Sequence, residues 1–403
     1  PPGRCPATAG SAPRWKGDGV MTMDNQPQQE PTVRSEGRLG WGAALGNVIQ
    51  MELRQRLRTR SWYVMLAVWF VVIGLVTWGS VASYNTLAGD ELFFGPGRFV
   101  FEAVVGFVLF FGLLVAPAMS ASTVSGDRAG GTLAIIQVTL ATPGQLLTGK
   151  WLASWIAALG FLVAALPYIV LAVVLGGLDV PGLVVFVLMV AVELGVICAL
   201  GTAVSAIVTR TLFAVVATYL LVALFSLGTL IGFALTAPLT MTTVPANQAV
   251  YPDELPGFDE ETGYDGTDWS PLRCAGPMVP QETLDTRSTY WMLAANPFVV
   301  VADAVPHPEK PPYDPDDPET WAPDGIMTSI STGVRYLQQP PETNVQCAHG
   351  QLTDEGPDQE SEGTPVWPLG LGIQIAVAAA LFAWGRQRLV APAARLPRGT
   401  RVA

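Results

Sequence analysis

Few side chains in this sequence are of a type and spacing that could do chemistry. Glu193 is the one ionisable residue deep in an otherwise uncharged run, 180 to 209. A carboxylate there must face water, find a partner or carry a proton, so Glu193 is a candidate for the lining of a substrate path. Bonded to a neighbouring hydroxyl or carbonyl, it would instead only fix packing. Gly144-Gln-Leu-Leu-Thr-Gly149-Lys150 matches the first seven positions of a phosphate-binding loop. Trp151, however, stands where a Ser or Thr would hold Mg²⁺, and Pro143 precedes the segment where a buried strand is required. Nucleotide binding by this chain is therefore not expected. Cys274 and Cys347 share one hydrophilic region and are expected to pair if it lies in an oxidising compartment. His307 and His349 show no fixed ligand spacing, so no metal is expected. Cys198 reads as a small apolar filler, and Cys5 lies in a polar tail. No nucleophile, base and orienting group stand in an enzyme-like arrangement.

The elements that hold these residues are unusually apolar. Charged residues make up 14% of the 403, against about 25% in soluble domains, and mean hydropathy is +0.39. Collagenous, coiled-coil and wholly disordered chains are excluded, as is a small disulfide scaffold, given only 4 Cys. Spans are expected near 62 to 83, 99 to 121, 152 to 175, 182 to 207, 212 to 235 and 365 to 385. Buried helices of a soluble enzyme rarely run uncharged for so long, and barrel strands would alternate over about ten residues. The expected fold class is an all-α membrane protein of six transmembrane helices, with a long extracytoplasmic region between helices five and six.

The net charge of -11 conceals two unlike parts. Residues 236 to 364 hold 22 Asp and Glu against 4 Lys and Arg, so the rest of the chain is basic. Arg54, Arg56, Arg58 and Arg60 precede the first span, and Arg386, Arg388, Arg395, Arg398 and Arg401 follow the last. Basic flanks mark the cytoplasmic side, which puts both termini in the cytoplasm and the protein in the plasma membrane. Along the chain the expected parts are a disordered tail (1 to 38) and an amphipathic interface helix (39 to 60). Spans one to five (61 to 235) follow, with a cytoplasmic loop at 122 to 151. An acidic Pro-rich outer region (236 to 364), the sixth span (365 to 385) and a basic tail (386 to 403) complete it. In the interface helix Trp41, Leu45, Val48, Ile49, Leu53 and Leu57 line one face. Within the outer region, 289 to 304 and 326 to 337 read as helices, and Glu102 is expected near the outer end of span two. Gly228 and Gly232 form a GxxxG pair suited to close helix packing, as do the small residues Ala199, Gly201, Ala203 and Ser205.

The loop between spans two and three carries the most pattern. Asp127 and Arg128 come first, then Gly130-Gly131-Thr132-Leu133, then Leu140-Ala-Thr-Pro143, then Gly149-Lys150 at the next span. Thr132 could cap a short helix with Leu133, Ile136 and Leu140 on one face, which Pro143 would stop. This arrangement resembles the loop of ABC-2 type permeases, the six-span membrane subunits of ATP-binding cassette exporters. The Arg-rich run 52 to 60 and Asn296-Pro-Phe are similar to that family as well. The resemblance implies a dimer of permeases, with a second copy or a homologue, driven by two cytoplasmic ABC ATPase subunits that hold ATP and Mg. This chain itself would then bind no cofactor and be no enzyme, and nucleic acid would not be a partner. It also implies that Asp127, Arg128, Gly131, Thr132, Pro143 and Lys150 belong to the element coupling the ATPase to the bilayer-embedded helices. Two departures stand out: the family often has Glu where Asp127 stands, and the outer region is long. A secondary transporter, or a membrane-anchored protein that binds or senses through its outer region, fits the composition too.

Overall fold

The computed structural model of the chain describes residues 40–87, 96–131, 142–175, 180–250, 273–306, 325–353 and 363–390. The tail at 1 to 38, the loop helix from Thr132 to Leu140, His307, most of the Pro-rich stretch and the basic tail from residue 391 onward lie outside the described residues, while Arg386 and Arg388 belong to the last helix.

Among the described residues, six helices are long and apolar enough to cross a membrane. In hydrocarbon a backbone must satisfy its own N–H and C=O groups, so uncharged runs of this length become helices. The first is α2 (Arg60–Leu87), which follows α1 (Trp41–Leu57). The second is α3 (Pro96–Ser120), continued by the short α4 (Thr123–Ala129). Then come α5 (Pro143–Val174), α6 (Val180–Ile207) and α7 (Thr211–Ala223), the last running through a π-turn (Leu224–Gly228) into α8 (Thr229–Thr236). The sixth is α12 (Trp367–Leu389). The central helix is α6, with 61% of its apolar window buried against 17% for the first span.

The third span begins earlier than expected, at Pro143 rather than near 152. Pro143 starts a helix here. Thr142 is the N-cap: its hydroxyl accepts from Gln145 N at 3.3 Å, and the Gln145 side chain accepts from Thr142 N at 2.8 Å. Proline at the first helical position loses no bond, because its missing N–H would have had no partner. Thr-Pro-Gly-Gln thus spells a capping box, the signal in the sequence for this start. At 32 residues α5 is about 48 Å long, more than the roughly 30 Å hydrocarbon layer. Gly144 to Lys150 therefore form helix and not a phosphate-cradling loop.

Hydrophobic burial does not drive helices together in lipid; close van der Waals contact does. That contact falls at Gly201 against the Ser120 side chain, at Gly370 against the Ala294 carbonyl and at Gly385 against the Ala203 carbonyl. A side chain at Gly370 would collide with backbone, which cannot swing away. The expected GxxxG pair makes no such approach within the chain. A Cβ at Gly232 would meet only Met292 Sδ at 3.7 Å, and one at Gly228 would meet Leu224 of its own helix.

Between α8 and α12 the structure corrects the all-α expectation. β1 (Met241–Val250), β2 (Arg273–Leu284), β3 (Cys347–Ala348) and β4 (Gln351–Leu352) form an antiparallel sheet in the order β2-β1-β3-β4. Pro245 of β1 faces Pro280 of β2. Such prolines remove ladder donors and hide strands from sequence reading. A disulfide joins Cys274 to Cys347. His349 and Gly350, both at positive φ (53° and 80°), form the two-residue turn between β3 and β4. The expected helices are present as α9 (Tyr290–Ala294), α10 (Pro297–Ala304) and α11 (Ile326–Tyr336).

Asp303 ties this end together. Its side chain is fully buried and accepts from Arg335 Nε at 2.7 Å, Ser331 Oγ at 2.9 Å, Val366 N at 2.6 Å and Trp367 N at 2.9 Å. One carboxylate thus joins α10, α11 and the N-terminus of α12, where a negative charge is favoured. Glu102 accepts from Ile326 N at 2.7 Å and caps α11 in the same way. Asn296 caps α10 through Phe298 N (2.9 Å) and donates to Ser226 O (2.7 Å) inside the π-turn. A π-turn leaves carbonyls without their usual partner, and this amide supplies one.

Candidate functional site

At the opposite end of the bundle, where the arginines gather, α1, α4 and α5 meet around one buried cation. Lys150 is fully buried, and its Nζ pairs with Glu52 and, at 2.6 Å, with Asp127 Oδ2. An ammonium so placed is tolerable only because two carboxylates meet it. Arg56 adds a second cation one turn beyond Glu52, and its Nη2 donates to Met119 O at 2.9 Å and Ser154 Oγ at 3.1 Å. Burial lowers its pKa, opposed by the Glu52 charge, and the guanidinium stays cationic. Two cations and two anions are thus held together at this end of the helices.

Each part of the node is placed by a helix end. Val48 of α1 lies so close to Gly149 of α5 that a Cβ there would come within 2.6 Å of it. The buried stripe of α1 is Ala44, Val48 and Glu52, one residue in every four. Of the apolar face read from the sequence, Val48 is in this stripe, while Trp41 and Leu57 point outward. On α4, Ser205 Oγ of α6 accepts from Val124 N and Ser125 N, both at 3.0 Å, and so caps its N-terminal turn. Arg128 reaches back to the other partner and donates to Ala206 O and Val208 O, both at 3.3 Å, at the C-terminal end of α6. The spare donors of one helix end and the spare acceptors of the other are thus both satisfied.

The residues expected to form one coupling element therefore separate into roles. Asp127 and Lys150 are brought together, 23 positions apart in sequence. Arg128 does not pair with Asp127 but holds α4 to α6. Gly131 adopts a positive φ of 72°, which turns the chain out of α4, and Thr132 lies outside the described residues. Glu52 and Arg56 were legible only as members of an Arg-rich run. Their signal was a single acid among bases at helical spacing from Val48. The small residues of α6 pack as expected, with Ser205 acting as a cap besides.

Glu193 is fully buried between α6 and α12. Gln374 of α12 is the side chain it faces, in a geometry too loose for a directed hydrogen bond, while Gln374 Nε2 donates to Ala295 O at 3.1 Å. Cys198 is buried and unpaired. Among the described residues no group of three His, Cys, Asp or Glu is placed to hold a metal ion. No protein-family model matches the sequence, and no curated protein is significantly similar to it.

Proposed function

We propose that this chain is the membrane-embedded permease subunit of an ATP-binding cassette exporter, of the ABC-2 type, working as a dimer with separate ATPase subunits. The observation that carries the reading is the ionic node at Glu52, Asp127 and Lys150. It joins α4, α1 and the start of span three into one mechanical unit. In this reading the unit lies on the cytoplasmic side of the plasma membrane, with both termini. The ATPases press on the segment between Gly131 and Thr142, and force passes through the ion cluster to α5 and through Arg128 and Ser205 to α6. The acidic region carrying the disulfide lies outside. A rigid element is required for such transmission, since packed helices move as bodies and do not deform continuously.

The test is co-expression of the tagged chain with the cassette ATPase encoded beside it. The ATPase is expected to co-purify and to hydrolyse Mg-ATP faster in the complex. Asp127→Asn is expected to lower that stimulation while membrane insertion remains. An ATPase that neither binds the chain nor responds to it refutes the proposal.

A further inference from the structure

A groove of about 720 Å³ opens on the side of the bundle between α5, α6 and α12 at the arginine-bearing end. Its floor is made by Trp151 and Trp155, whose rings stack at 6.1 Å and 5°. Both indole N–H groups are already satisfied: Trp151 Nε1 donates to Gly195 O and Trp155 Nε1 to Ala191 O, each at 2.8 Å. The rings therefore offer apolar faces with no donor left over. Ala378, Ala379 and Phe382 of α12 form the facing wall. From Gly144 to Trp155 the groove follows twelve residues of α5, a rise of about 16 Å. That matches one leaflet, half of a hydrocarbon core of roughly 30 Å.

The mouth has the opposite character. Arg386 lies against the first turn of α5, its Nε 3.6 Å from where a Gly144 Cβ would be. Among the described residues the Arg386 guanidinium has no ion-pair or hydrogen-bond partner. In that first turn Pro143 has no N–H, and Thr142 N and Gln145 N are consumed by the capping box. Gly144 N–H is thus the donor left over at the positive end of a 32-residue helix. A full positive charge and a helix N-terminus converge at the rim of a slot that accepts one hydrocarbon chain.

The geometry points to a binding site for an anionic phospholipid of the leaflet at this end. One acyl chain lies on the stacked indoles, and the headgroup phosphate meets Arg386 and Gly144 N–H. Trp41, exposed at the rim, sits where indoles favour the headgroup level. The occupant is a lipid and not a helix of a second copy, because the groove is apolar over a leaflet's depth and ends in unneutralised positive charge. On the topology proposed above this is the cytoplasmic leaflet, but the site does not depend on the ATPase.

The test uses the full chain in mild detergent, with native mass spectrometry counting retained lipid from an equimolar mixture of phosphatidylglycerol and phosphatidylcholine of identical chains. The wild type is expected to retain phosphatidylglycerol preferentially. Arg386→Gln should reduce that preference about five-fold, the worth of one basic side chain near an anionic headgroup. Arg388→Gln makes the same charge change two residues on, where the guanidinium stacks over Trp384 at 5.9 Å and not in the groove. It should leave the preference unchanged. Ala379→Phe, at an exposed groove position, should reduce retention of both lipids without lowering thermal stability. No preference in the wild type, equal effects of the two arginine variants, or full retention by Ala379→Phe would each overturn the assignment.

Discussion

Lys150 shows how much a single side chain can decide in a membrane protein. A lysine at the mouth of an apolar helix reads as a surface charge, yet here it is fully buried between two acids contributed by other elements. Removing one partner of such a cluster strands the others in a poorly solvated place, at a cost of about 3–5 kcal/mol. Lys150→Met is therefore expected to destabilise strongly, and Glu52→Gln added to it should recover part of the loss. Thermal unfolding of the two single variants and the double variant measures this coupling. Additive effects would show that the three charges do not act together. Asp303 plays the equivalent part at the other end, and neither its sequence neighbours nor its spacing announced it.

At the scale of elements, helix ends do most of the positioning. Arg56 and Arg128 each satisfy carbonyls at the C-terminal end of a span, Ser205 and Thr142 cap the next helices, and Asn296 fills the gap in a π-turn. Helix faces then approach closely at several glycines. Gly370→Ala is expected to cost about 1–3 kcal/mol, since its Cβ would strike the Ala294 carbonyl and one helix would have to shift. Gly372→Ala, two residues on with nothing within 4 Å, should be neutral. A detergent melt of both variants checks the pair, and equal melting temperatures would contradict the packing described.

For the whole molecule, the sheet is the main surprise, and the disulfide expected from the sequence ties two of its strands, β2 and β3, together. Cross-linking a loop of this length, 73 positions, stabilises by about 4 kcal/mol in the chain-entropy model. Reduction of the purified protein, or Cys274→Ser with Cys347→Ser, should lower the melting temperature while the six helices still insert. Resistance of both cysteines to thiol-blocking reagents before reduction is the accompanying check.

Read along the chain, uncharged runs were enough for the number of spans. A bilayer accepts a long apolar segment only as a helix, so hydropathy alone carries that much. The disulfide pair was also within reach, because only two cysteines share the hydrophilic region. The capping box at Thr142 was readable too, though proline reads more readily as a stop than as a start. Four strands were not, since three prolines interrupt β1 and β2 and their pairing depends on partners far away in sequence. The ion cluster was least legible of all. Glu52, Asp127 and Lys150 belong to three elements, and nothing local to any of them says that they meet. Local composition sets what each segment must become in a membrane, whereas which charges and helix ends neutralise one another is decided only when the segments pack.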